Sequence, residues 1–134
     1  MKVLLSIKPE FANKIFNGEK KYEYRKSLFK NESIRVVVVY ASSPISKVIG
    51  EFEIDDIIVD DLQGLWEKTE AYAGISRDYY YKYFGAKSKG YAIKIKNAIR
   101  YPSAENLKEK YNITPPQSFA YLSACQDEHL CFQV

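Results

Sequence analysis

The residues best equipped for chemistry in this 134-residue chain sit in NGEKKYEYRK, Asn17 to Lys26, where Gly18, Lys20, Glu23 and Arg25 stand close together. Arg25 offers a planar fork of N–H donors that suits a phosphate or a base edge. Lys20 offers a compact positive charge, and Glu23 an acceptor for exocyclic amines. In a cleft that excludes water, Lys20 and Glu23 also make a general acid and base pair. Read as a strand, the stretch puts Lys21, Glu23 and Arg25 on one face and Tyr22 and Tyr24 on the other. The charged face is then expected to be exposed along a cleft and the tyrosines to point into the core. An ordinary solvated salt-bridge ladder on an edge strand would show the same pattern. On either reading the ion pairs are exposed, so losing Lys20 or Arg25 is expected to cost little stability and losing Tyr24 a great deal.

Flanking segments supply further candidates. YASSP, Tyr40 to Pro44, brings an aromatic ring and the hydroxyls of Ser42 and Ser43 to the end of an apolar run, as a binding turn or as a turn alone. Gln117 and Ser118 follow two prolines that stiffen the backbone and hold polar groups in place. Lys8 adds a positive charge just before the first helix, where plain exposure is the commoner fate of a lysine. Tyr79, Tyr80, Tyr83 and Phe84 fall on one helical stripe, which core packing explains more economically than a base-stacking platform. Cys125, His129 and Cys131 match no zinc spacing, so reduced thiols and no metal or cofactor are expected. The chain carries no phosphate-cradling G-x-x-x-x-G-K-[ST], no G-x-G-x-x-G and no G-x-S-x-G, and its single histidine argues against a histidine-based triad.

The elements that must position these groups can be read from periodicity. KVLLSI has strand length, and PEFANKIFNG reads as a short helix with Pro9 at its start and Gly18 beyond its end. Ile34 to Tyr40 is apolar and rich in β-branched residues, as a central strand requires. Lys47 to Val59 and Gly90 to Ala98 alternate, the first with an acidic face and the second with a basic one, so the two are expected to pair. Between them lies a helical insert in which Ser76 is an N-cap and Gly85 a stop. A short helix, a proline turn and an extended segment close the chain. The pattern predicts an α+β domain on a small, mostly antiparallel β-barrel with flanking helices, as one domain over residues 1–134.

Composition sets the outer limits. Lys plus Arg exceed Asp plus Glu by only 20 to 17, a formal +3, so net charge alone makes no case for nucleic acid and local placement must carry it. Hydrophobic residues at 46% suffice for a core, and an aromatic share of 15% with twelve tyrosines serves cores and stacking surfaces alike. No stretch approaches the roughly 20 apolar residues of a membrane span, so a cytoplasmic protein with no membrane partner is expected.

Gly18, Lys20, Glu23 and Arg25 spell G-x-K-x-x-E-x-R. On this motif, with LLSIKPEFANKIFNG before it and PPQSFAYL, Pro115 to Leu122, at the end, the chain resembles the bacterial and phage ASCH domain family of the PUA-like superfold. The resemblance spans nearly the whole chain. It implies a PUA-like barrel with a cleft beside the first helix, lined by the motif's charges, that takes RNA, a nucleotide or a modified base. One branch of the family hydrolyses an amide on acylated cytidine with a threonine where Glu23 stands here, and ribonuclease chemistry is also associated with the family. A carboxylate in place of that threonine removes the nucleophile, and neither Glu67 nor Glu70 aligns with that branch's acid. The resemblance therefore points first to a module that binds RNA or a nucleotide, with a regulatory role open to it. It points second to a nucleoside amidohydrolase or ribonuclease using Lys20 and Glu23. A third reading is a protein-interaction domain that presents Tyr79 to Phe84 to a protein partner.

Overall fold

The structure, a computed structural model, describes residues 1–122, so Cys125, His129 and Cys131 lie outside the described residues. Strand β1 (Lys2–Ile7) is followed by helix α1 (Pro9–Phe16), where Pro9 occupies the first turn and Ala12 and Ile15 are buried. Beyond the helix, Gly18 adopts a φ of 87°, and the Lys20 amide bonds back to the Lys14 carbonyl at 3.0 Å. The chain then enters the short strand β2 (Tyr22–Arg25) and continues through β3 (Val36–Ala41) and β4 (Lys47–Asp61). The insert comprises α2 (Leu62–Thr69), a 3₁₀ turn at Glu70–Tyr72 and α3 (Arg77–Phe84). Ser76 caps α3 by accepting from the Tyr79 amide at 3.0 Å, and Gly85 ends it at a φ of 58°, as their residue types predict. Strand β5 (Lys89–Glu105), helix α4 (Leu107–Tyr111) and strand β6 (Phe119–Leu122) complete the described chain. No helix among the described residues is long and apolar enough to cross a membrane.

The fold is α+β. One six-stranded sheet runs in the order β2-β5-β4-β3-β1-β6, antiparallel throughout except for the β1–β3 pair. The expected barrel is corrected in one respect: among the described residues no backbone ladder joins β2 to β6, so the sheet they form is open in its hydrogen bonding. Its two edges are nonetheless bridged by side chains. Arg25 on β2 donates through Nη2 to the Ser118 carbonyl at 2.9 Å, and the Tyr121 hydroxyl on β6 accepts from the Lys30 and Asn31 amides at 2.9 and 3.1 Å.

Strands β4 and β5 are longer than their alternation suggested, because β5 runs on past Asn97, at a φ of 49°, and through Pro102. Three register shifts between β4 and β5 change which face a residue occupies. Phe52, Ile54 and Ile57 therefore join α1 in the main core, Val48 packs with Tyr40, Leu107 and Tyr111, and Ile58 packs with the insert. The acidic and basic faces do meet, with Lys94 and Asp55 3.5 Å apart, and Glu53 accepts from the neutral Asn97 amide at 2.6 Å.

Candidate functional site

The site forms where α1, β2, the turn after β3, the insert and the segment before β6 converge. Lys20 reaches it from the turn after α1 rather than from β2, and so escapes the strict alternation of the strand. Its ammonium donates to the Ala73 carbonyl at 2.7 Å and lies over the rings of Tyr24 and Phe11, 4.8 and 5.6 Å from their centroids. The stem of Lys20 packs on Gly74, where a Cβ would fall 2.5 Å from the lysine's own Cβ and where φ is +69°. The Gly74 carbonyl in turn accepts from Lys14 at 3.2 Å, so two lysines anchor this part of the insert.

Glu23 sits between two cations, with Oε1 4.0 Å from Lys20 Nζ and Oε2 3.5 Å from Arg25 Nη1. The expectation of exposed ion pairs is corrected here: Lys20 is 2% and Glu23 6% exposed, because the insert folds over the motif. Burial drives the Lys20 pKa down from its ordinary 10.5 to about 8, and the nearby Glu23 carboxylate only partly opposes the shift. Tyr24 is buried as predicted, its hydroxyl 2.6 Å from Thr69 Oγ1, and desolvation raises its pKa far above the ordinary phenol value.

A cleft of about 270 Å³ opens over these groups. Lys8, Lys20, Glu23, Arg25, Ser42 and Gln117 line it, together with the rings of Phe11, Tyr79 and Tyr83. Six of the nine residues proposed from sequence are thus brought together. The other three lie elsewhere. Tyr40 points to the opposite face of β3 and packs with Leu4, Val38 and Leu107, a consequence of strand alternation. Ser43 is exposed in the turn beyond Ser42. Ser118 takes part through its backbone, its carbonyl receiving Arg25 at 2.9 Å and the Ser6 amide at 3.3 Å.

Sequence reasoning missed the aromatic wall. The stripe on α3 divides: Tyr80 and Phe84 are buried against Tyr24, Leu65 and Trp66, while Tyr79 and Tyr83 turn toward the cleft. Lys8 lies over the Tyr79 ring at 5.1 Å, and their hydrogen bond raises its pKa. Phe11 meets Tyr79 edge to face at 5.1 Å. The available signal was the offset of one residue within each pair, Tyr79 from Tyr80 and Tyr83 from Phe84, which rotates alternate rings toward different neighbours. Among the described residues no group of three or more His, Cys, Asp or Glu side chains is placed to hold a metal ion.

Taken together, the arrangement offers an aromatic wall, three cationic side chains and a nearly buried carboxylate within one small pocket. A model of the ASCH domain matches residues 5–117. The chain is 31% identical over 122 residues to the ASCH domain-containing ribonuclease of Zymomonas mobilis, covering 89% of this chain and 82% of that one. It is 33% identical to the large ribosomal subunit protein uL22 of Ureaplasma parvum over 90% of its own length, but spans only 39% of that relative. The crystal structure of ASCH from Zymomonas mobilis superposes with a TM-score of 0.86 at 29% identity, covering 93% of this chain and 90% of that one. With most of its length matched by the family and its fold shared with a solved relative, this chain belongs to the ASCH domain family.

Proposed function

We propose that the cleft receives one unpaired nucleotide of an RNA chain, the base lying against Tyr79 and Tyr83 and the phosphate facing Arg25 and Lys8. The observation that carries this reading is that Lys20, Glu23 and Arg25 line a single pocket with the aromatic residues Phe11, Tyr24, Tyr79 and Tyr83. Its volume of about 270 Å³ is at the small end of ligand pockets, which span roughly 300–1,000 Å³, so a single base suits it better than a duplex. Aromatic side chains favour unstacked bases of single-stranded RNA, whose edges are free to be read. The relative named a ribonuclease, matched over 82% of its length, supports RNA as the ligand class.

The test is a titration of single-stranded and duplex RNA against the wild type and Arg25→Ala, with thermal melts as controls. Single strands should bind, with a shallow dependence on salt because few cations face the cleft. Equal binding by wild type and variant, or a preference for duplex, would remove the reading.

A second reading is cleavage of RNA in the same cleft, favoured by the Lys20 pKa of about 8 beside the Glu23 carboxylate. A carboxylate that takes the proton of a 2′-hydroxyl and an ammonium that protonates the leaving 5′-oxygen form a workable acid and base pair. Glu23→Gln should then abolish cleavage while the strand still binds. Undiminished cleavage by that variant excludes Glu23 as the base.

A further inference from the structure

Glu23 is a nearly buried carboxylate held by two ion pairs, each longer than an ordinary charge-assisted hydrogen bond. Its side chain is 8% exposed. Its nearest cationic nitrogens are Arg25 Nη1 at 3.5 Å and Lys20 Nζ at 4.0 Å. The short hydrogen bonds of both cations go elsewhere, from Lys20 to the Ala73 carbonyl and from Arg25 Nη2 to the Ser118 carbonyl. An ionised carboxylate has about four acceptor positions, and one met by the protein only through ion pairs at 3.5 and 4.0 Å has capacity for a ligand that brings N–H donors. The oxygens face the cleft, since Glu23 lines it together with Lys20 and the tyrosines.

The four bases differ in what they offer such an acceptor. Guanine presents two adjacent donors, N1–H and N2–H, in one plane, with the O6 acceptor directly beside them. Adenine and cytosine present one amine flanked by a ring-nitrogen acceptor, and uracil one N–H between two carbonyls, each of which would set a lone pair against a carboxylate oxygen. Only guanine fills both oxygens of Glu23 and places an acceptor on the side where Lys20, with donors left beyond its bond to Ala73, can meet it.

Resting on the RNA reading above, we infer that the cleft selects guanine, Glu23 reading N1–H and N2–H while Lys20 takes O6. Tyr79 and Tyr83 supply stacking that is indifferent to the base, so the selectivity lies in the carboxylate.

The experiment titrates the protein with short oligouridines that carry one central guanosine, inosine, adenosine or cytidine, and in parallel with the free 5′-monophosphates of the same nucleosides. Inosine lacks the N2 amine, so it removes one donor without altering the protein. The guanosine strand should bind roughly tenfold more tightly than the inosine strand, and the inosine strand more tightly than the others. Glu23→Gln, which keeps the shape but replaces one acceptor with a donor, should bring the guanosine and inosine strands to equal affinity while a thermal melt shows it folded. Equal affinity of the wild type for all strands overturns guanine selection and leaves the RNA reading standing. Binding of guanosine monophosphate but of no strand supports guanine selection and overturns RNA as its source. Binding of neither overturns both.

Discussion

Nζ of Lys20 donates to the carbonyl of Ala73 at 2.7 Å across 53 residues of sequence, and this contact holds the insert onto the motif. Next to it, Gly74 leaves no room for a side chain against the lysine stem and adopts a φ of +69°. Gly74→Ala should therefore displace the ammonium as well as strain the backbone. The expected result is a lower melting temperature, by about 1–3 kcal/mol of stability, together with weaker RNA binding. A variant that melts and binds like wild type would show that the lysine stem yields freely.

Lys20 gives the protein a pH dependence whose sign is fixed. Its folded pKa, about 8, lies below the ordinary 10.5, so between these values the unfolded chain holds a proton that the folded chain has released. Stability attributable to this residue is lowest below pH 8, where the charge is buried, and rises as pH climbs toward 10.5. Thermal melts of wild type and Lys20→Met should show the wild type gaining on the variant across that window. Ligand affinity should move the opposite way, declining above about pH 8 as the ammonium is lost. A difference between the two proteins that does not vary with pH would rule out this assignment.

Arg25 ties β2 to the segment before β6 through the Ser118 carbonyl, with only 11% of its side chain exposed. Arg25→Ala should lose about 1.5–3 kcal/mol, the range for a hydrogen bond to a charged group, and also lose RNA binding. Arg25→Lys keeps the charge without the planar fork and should recover part of the stability but little of the affinity. Chemical denaturation paired with titration separates the two effects. Full affinity in the lysine variant would mean that charge alone is recognised.

The divided stripe on α3 predicts a divided phenotype. Tyr79→Ala and Tyr83→Ala should weaken single-strand binding by about 1–3 kcal/mol for each stacking ring lost. Tyr80→Ala should instead destabilise the fold by about 3–5 kcal/mol, since that ring is fully buried and its hydroxyl bonds the Leu62 carbonyl at 2.7 Å. If Tyr80→Ala reduces binding without shifting the melt, the division of labour along the helix is wrong.

The local features of the fold were legible because each rests on a short-range rule. Pro9 opens α1, Ser76 and Gly85 bracket α3, and the β-branched run from Val36 to Val39 becomes a central strand. The length of β5 was not legible, since Asn97 and Pro102 are poor strand residues that bulges in the long antiparallel β4–β5 pair accommodate. The motif charges were found by type and spacing, but their burial was not, because it depends on Ala73 and Gly74 arriving from far along the chain. For the same reason nothing local marked the Ser118 carbonyl, a backbone group, as the partner of Arg25.

The open sheet has a consequence for association between molecules. An unpaired strand edge is a template on which another chain can add a strand, and open sheets must guard against it. Here the edge strand β2 is only four residues long, and the segments beside β2 and β6 face one another across Arg25, Ser118, Lys30 and Tyr121. Arg25, which lines the cleft, therefore also helps shield the sheet from strand addition. Variants that release Arg25 should aggregate sooner on heating than their loss of stability alone would explain.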